Sequence, residues 1–128
     1  MKQFLLNFFK NKKFLKDEEY RNHTIPKVNK YSKIIASNNK ISFLHYGHLG
    51  DIINSLPVIK KISEKKECHL YIQKDKKIPK HVISKDHPFG QVYLSEQSIL
   101  KMLPLLKKQK FLNEVEIYSD QKIDIDLN

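Results

Sequence analysis

Residues 41–73 of the chain read ISFLHYGHLGDIINSLPVIKKISEKKECHLYIQ. The stretch opens with an apolar run, residues 41–46, whose residue types favour a strand and which ends at Gly47. A segment with apolar side chains at helical spacing follows, and residues 68–73 form a second apolar run of strand type. A strand, a loop, a helix and a second strand at this spacing predict a βαβ unit with parallel strands.

The predicted helix begins at Asp51, because a carboxylate at the N-cap position accepts hydrogen bonds from the free backbone N–H groups of a helix start. Its predicted core-facing residues are Ile52, Ile53, Leu56, Ile59 and Ile62. Pro57 lies inside this segment and lacks a backbone N–H group. It therefore predicts either a kink after the first turn or a restart of the helix at the proline.

The rest of the chain carries shorter patterns. Residues 74–90 are rich in Lys and contain two prolines and a glycine, which predicts a loop. The other predicted elements are a short strand from Gln91 to Leu94, a helix capped by Ser95 or Ser98, a strand from Val115 to Tyr118 and a half-exposed strand from Lys122 to Leu127 with Asp124 and Asp126 on its solvent side. Together these elements predict an α/β fold, a Rossmann-like three-layer domain with a parallel sheet of four or five short strands.

Length and composition exclude several classes of protein. The 128 residues suffice for one core but not for two domains that close on a cleft. The only cysteine, Cys68, excludes an intramolecular disulfide and a multi-cysteine zinc site, and we interpret it as a small apolar residue at a strand start. No apolar run approaches the roughly 18–20 residues of a membrane span, and the start of the chain does not resemble a signal peptide. We expect a cytoplasmic protein.

The net charge of +10 is concentrated at the start of the chain. Residues 1–40 hold ten bases (Arg21 and nine Lys) and three acids, a net charge of +7. Because 23 of the 24 bases are Lys and specific readers of nucleic acids favour Arg, we do not expect a nucleic-acid partner. We interpret residues 1–40 as a basic extension. Its helix packs on its own domain, or contacts a membrane surface or another protein, or the segment is a frayed basic leader.

The loop between the predicted strand and helix is the strongest candidate site. Ligands of open α/β sheets bind beyond the carboxyl ends of the strands. Gly47 and Gly50 are two of only three glycines in the chain, and glycine lets backbone approach a ligand closely. His48 lies in this loop and is a candidate to contact a ligand, whereas we expect His45 in the core or at a sheet edge. No third ligand accompanies the two histidines at a sensible spacing, so we predict no metal site.

Four lysines follow the second predicted strand, where they face either solvent or an acidic acceptor such as a phosphorylated sugar. They are Lys74, Lys76, Lys77 and Lys80. Neither a dinucleotide-binding glycine fingerprint nor a phosphate-binding loop occurs in the chain. A nucleotide site of either type is therefore not predicted here.

The sequence around Asp51 resembles the N-terminal signature of the heptosyltransferase-like family of GT-B glycosyltransferases. The matching residues, in order and spacing after an apolar strand, are Leu49-Gly50-Asp51, Ile52-Ile53 and Leu56-Pro57. The resemblance covers about residues 41–73 and leaves residues 1–40 outside. It implies transfer of a sugar from a nucleotide-sugar donor to a hydroxyl group of a sugar or lipid-linked acceptor, with no further cofactor.

The resemblance also implies roles for individual residues. Asp51 would be the general base, and Gly47, His48, Leu49 and Gly50 would contact the substrate. The family binds its donor through a second, C-terminal domain, so we expect residues 41–128 to be the acceptor-side half of a truncated enzyme, inactive alone. The alternative is a non-catalytic basic module that docks through residues 1–40 on an anionic partner or on the inner face of the membrane.

Overall fold

The computed structural model describes residues 1–11, 20–80 and 91–128. Its helices are α1 (Lys2–Asn11), a π-helical turn (Tyr20–Thr24), α2 (Ile25–Ser37), α3 (Leu49–Ser63) and α4 (Glu96–Lys107). Its strands are β1 (Lys40–His45), β2 (Glu67–Ile72), β3 (Glu114–Ile117) and β4 (Ile125–Asp126). Within these described residues, no helix is long and apolar enough to cross a membrane.

The four strands form one parallel sheet in the order β3-β2-β1-β4, flanked by helices. This confirms the predicted α/β, Rossmann-like fold. Strands β1 and β2 pair along their full length, from Lys40 opposite Glu67 to His45 opposite Ile72. Strand β4 pairs with the other side of β1 over only two residues. The direction in which successive strands are added therefore reverses at β1, and in such sheets this point opens a crevice for ligands.

The two faces of the sheet differ in character because side chains alternate along each strand. One face is apolar and shares a core with the helices; its buried residues are Ile41, Phe43, Cys68, Leu70, Ile72, Val115 and Ile125. The Sγ atom of Cys68 lies 3.8 Å from the carbonyl oxygen of Ile59 in α3. Burial raises the pKa of the Cys68 thiol to about 12, in keeping with its interpretation as a small core residue.

The opposite face carries polar residues that join β2 to β3. The ring of His69 lies between two carboxylates, with its Nε2 atom 2.5 Å from Glu67 and its Nδ1 atom 2.8 Å from Glu114. The hydroxyl of Tyr71 donates to Glu114 at 3.3 Å. Burial, and then the charge of Glu114, raise the pKa of Tyr71.

Helices α1 and α2 belong to the same hydrophobic core as the sheet. Leu5 and Phe9 of α1 are buried in it, as are Val28, Tyr31 and Ile35 of α2. The hydroxyl of Tyr31 accepts a hydrogen bond from the backbone N–H of Asp126 and donates to the carbonyl of the same residue, both at 3.2 Å. These side chains thus pack on their own domain, one of the alternatives for residues 1–40, and the Tyr31 hydroxyl satisfies backbone groups of β4.

Helix α3 departs from the prediction at its start. It begins at Leu49, so Asp51 is the third helical residue and His48 is the N-cap. The Asp51 carboxylate accepts from the backbone N–H of His48 at 3.1 Å, and the pair forms a capping box. The prediction that Asp51 is the N-cap is wrong. A carboxylate at the third helical position can also accept a hydrogen bond at the helix start, from the backbone N–H of the N-cap residue.

The middle of α3 also corrects two expectations. The helix runs through Pro57 to Ser63 as one element, so a restart at the proline is wrong. Ile53, expected to face the core, is 47% exposed. The proline removes the N–H group that would bond to the carbonyl of Ile53, and on this outer side of the helix water can replace that donor.

The strand predicted from Gln91 to Leu94 is wrong. Of this segment only Val92 forms a β-bridge, and it is antiparallel, with Lys77. Its other backbone hydrogen bonds run to residues 75–78, the segment after β2, instead of to the sheet. The predicted cap of the following helix at Ser95 is confirmed, since its hydroxyl accepts from the N–H of Ser98 at 3.2 Å. Residues 81–90, predicted as loop, lie outside the described residues.

Candidate functional site

The predicted site residues lie together at the carboxyl edge of the sheet. Strand β1 ends at His45, and the chain passes through residues 46–48 into α3. Strand β4 ends beside this loop, where the backbone N–H of Tyr46 donates to Oδ1 of Asn128 at 3.1 Å. The loop therefore occupies the place where the strand order reverses and where open parallel sheets bind ligands.

Gly47 is required by the packing of this loop. A Cβ atom at this position would lie 2.9 Å from Cε1 of His45 and 3.1 Å from the carboxylate of Asp51. The Gly47 N–H donates to Nδ1 of buried His45 at 3.0 Å. Neutral His45 therefore carries its proton on Nε2. His45 is a core residue, one of the two positions expected for it, and it ties the loop to the end of β1.

Gly50 has the opposite surroundings. It lies exposed in the first turn of α3, and a Cβ atom added there would meet no atom within 4 Å. Neither the backbone conformation nor a close neighbour among the described residues requires glycine at this position. The surface above Gly50 is open and can accept a ligand in contact with the backbone.

The carboxylate of Asp51 is anchored on one side and open on the other. Its Oδ2 atom accepts from His48 N–H and lies 3.7 Å from Nδ1 of the His48 ring. The side chain is 53% exposed. Among the contacts of the described residues, Oδ1 has no hydrogen-bond donor, so this oxygen is accessible to a hydroxyl group at the loop.

An aromatic cluster (Tyr46, His48 and Tyr93) borders the same loop. The rings of His48 and Tyr93 meet edge to face with centroids 5.0 Å apart, and those of Tyr46 and Tyr93 lie 6.0 Å apart. The Nζ atom of Lys76 lies 5.1 Å from the centroid of Tyr46. Burial, followed by the charge of Asp126, raises the pKa of Tyr46. The cluster gives the site flat apolar surfaces beside a cation.

Sequence reasoning missed Tyr46 and Tyr93 as site residues and left the role of Lys76 open. Tyr93 belongs to the segment that was predicted to be a strand, and it reaches the site because that segment folds back on residues 75–78. The sheet topology could have predicted that this segment lies near the site, since the segments that follow parallel strands meet at one edge of the sheet. Of the other lysines after β2, Lys74 forms an ion pair with Glu96 at 3.0 Å, and Lys77 and Lys80 are exposed.

The arrangement combines a proton acceptor, ring faces, backbone N–H groups at a helix start and a cation within one loop region. In residues 1–11, 20–80 and 91–128, no group of three His, Cys, Asp or Glu side chains could hold a metal ion. The side chains of the loop region can supply acid–base chemistry and polar contacts to a hydroxyl-bearing or anionic ligand.

Comparisons with protein-family models, with curated proteins and with solved structures find no significant match to this chain. The assignment to the heptosyltransferase-like family therefore stays a prediction from residues 41–73.

Proposed function

We propose that this chain is the acceptor-binding half of a glycosyltransferase similar to the heptosyltransferase-like GT-B enzymes. The observation that supports the proposal most is the Asp51 carboxylate, which is exposed at the carboxyl edge of a parallel sheet, beside the reversal of strand order. The matching residues Leu49-Gly50-Asp51 lie in the first turn of α3 that leads out of this edge.

The reaction needs a base at this position. An acceptor hydroxyl attacks the anomeric carbon of the donor sugar, the bond from that carbon to the diphosphate oxygen breaks, and the hydroxyl proton passes to Asp51. The His48 N–H holds one carboxylate oxygen in place, so the other can take the proton without a change of side-chain conformation.

The surroundings of Asp51 suit an acceptor sugar. Open space above Gly50 lets a sugar reach the backbone at the start of α3. The rings of Tyr46 and Tyr93 offer apolar faces against which the C–H face of a sugar ring can lie. Lys76 supplies a positive charge for a phosphate or carboxylate group on the acceptor. The donor would bind to a second domain, as the resemblance implies.

An NMR titration of the full chain tests acceptor binding. The probes are mannose 6-phosphate, a phosphorylated sugar, and ADP-mannose, a nucleotide sugar. We expect mannose 6-phosphate at millimolar concentration to shift the amide signals of Gly47, Gly50 and Asp51, and ADP-mannose to add no shifts beyond that region. Shifts confined to other parts of the chain, or none, would contradict the proposal and favour the non-catalytic binding module.

Asp51→Asn tests the base itself, because the amide oxygen can still accept from His48 N–H but cannot take a proton at neutral pH. Sugar transfer, measured by mass spectrometry of the acceptor in the presence of a donor-binding half, should fall at least about 100-fold. The NMR shifts caused by mannose 6-phosphate should persist. Glu64→Gln, at the far end of α3, removes the same charge and should leave transfer unchanged. Equal rates for Asp51→Asn and wild type would rule out Asp51 as the base.

A further inference from the structure

A second concave surface lies at the other, amino-terminal edge of the sheet. It is a groove of about 340 Å³ between the end of α2, the end of α3 and Met1, which precedes α1. Its apolar lining includes Met1, Ile35, Ala36 and Ile62, and two lysines at its border, Lys65 and Lys66, directly precede β2. This groove takes no part in the site at the carboxyl edge.

The charge of the groove is positive. Lys61 and Glu64 also line it, but they form an ion pair with each other at 2.8 Å and their charges cancel. Lys65 and Lys66 remain as the net charge of the lining. An anionic surface therefore complements this face of the protein.

Two large hydrophobic side chains at the start of the chain are exposed to solvent: Met1, which lines the groove, and Phe4, three residues further along. Met1 is 48% exposed and Phe4 is 38% exposed, although both are large hydrophobic residues. The inner side of the same helix is held in the core by Leu5 and Phe9. The outer residues are thus presented by a helix that is already folded and anchored. Apolar side chains next to lysines are typical of surfaces that bind anionic lipid. The apolar side chains enter the membrane interface, and the lysines contact the phosphate groups.

We propose that this surface, formed by Met1, Phe4, Lys65 and Lys66, docks the protein on a membrane that contains anionic lipid. The proposal is independent of sugar transfer. The positive groups are lysine ammonium groups on flexible side chains at an open groove. Such groups suit contact with many lipid headgroups better than binding of one enclosed anion. Docking by this edge leaves the loop with Asp51 at the opposite edge of the sheet, away from the lipid.

Flotation of the full chain with lipid vesicles tests the proposal. We expect binding to vesicles of phosphatidylcholine with phosphatidylglycerol to exceed binding to pure phosphatidylcholine at least about ten-fold, and to weaken as salt is added. Equal binding to both kinds of vesicle, or none to either, would overturn the proposal.

Two matched charge reversals locate the surface. Lys65→Glu combined with Lys66→Glu should weaken binding to the anionic vesicles at least about ten-fold. Lys77→Glu combined with Lys101→Glu changes the net charge equally at exposed positions elsewhere and should weaken it less than about three-fold. Equal losses in the two double variants would show general attraction by net charge and overturn the proposal. Circular dichroism melting of every variant establishes that it is folded.

Two further measurements separate lipid from other anions. Phe4→Ser should weaken vesicle binding about three- to ten-fold, because an apolar contact with the interface is lost. Displacement of the protein from vesicles by millimolar inorganic phosphate would indicate a site for a small anion. Tighter binding to a DNA oligonucleotide, lost in the Lys65 and Lys66 double variant, would indicate a nucleic-acid surface. Either outcome would overturn the membrane proposal.

Discussion

Gly47, in the loop after β1, and Gly50, in the first turn of α3, are three residues apart and have opposite surroundings. A side chain at Gly47 would collide with buried His45, whereas a side chain at Gly50 would meet nothing. The strand side of the loop is therefore shaped by the protein's own packing, and the helix side is open. Glycine is thus required by internal packing at the strand end of this region, and at the helix end it leaves open space above the backbone.

This difference also separates His45, at the end of β1, from His48, at the end of the loop. His45, on the strand side, is buried and accepts from Gly47 N–H. His48, on the helix side, caps α3 with Asp51 and meets the ring of Tyr93 edge to face. Groups that a substrate could reach lie on the helix side, so substitutions there should affect ligand binding more than folding.

Gly47→Ala should have the largest effect on stability. The added methyl group must displace His45 or Asp51, and overpacking of this kind costs about 1–3 kcal/mol. Urea unfolding followed by circular dichroism measures the loss as a lower midpoint. An unchanged midpoint would show that the strand side of the loop is as open as the helix side.

Asp51→Ala should have an intermediate effect. It removes the acceptor of the His48 N–H and one member of the capping box, which costs about 1 kcal/mol in the free energy of unfolding. Asp51→Asn keeps an acceptor oxygen and should lose less, about 0.3–1 kcal/mol from the weaker interaction with the helix dipole. Equal losses for the two variants would indicate that the hydrogen bond to His48 does not hold the helix start.

Gly50→Ala should have the smallest effect on folding and the opposite sign. Alanine favours a helix over glycine by up to about 1 kcal/mol, and no neighbour obstructs its methyl group. Stability should stay level or rise slightly in the same urea experiment. Binding of mannose 6-phosphate, followed by NMR, should weaken. A variant that binds mannose 6-phosphate as tightly as wild type would place the ligand away from Gly50.

The central βαβ unit follows from local pattern. Apolar residues in two short runs and at helical spacing between them can be buried on one face only if the chain forms strand, helix and strand. Strands β1 and β2 differ from the predicted ones by one residue at each end, and Ser95 caps α4 as expected. The last strand is shorter than predicted, Ile125–Asp126 instead of Lys122 to Leu127. The same pattern predicts the position of the loop that leads to Asp51. This loop follows the end of a parallel strand, which is also the place where a site can form.

Contacts between distant parts of the chain account for what the pattern did not predict. Tyr93 reaches the site because its segment bonds to residues 75–78, and β4 is held on its outer side by a tyrosine 95 positions earlier, Tyr31. Periodicity specifies which side chains must be buried, but which segments then lie side by side is set by the three-dimensional packing that satisfies their hydrogen bonds.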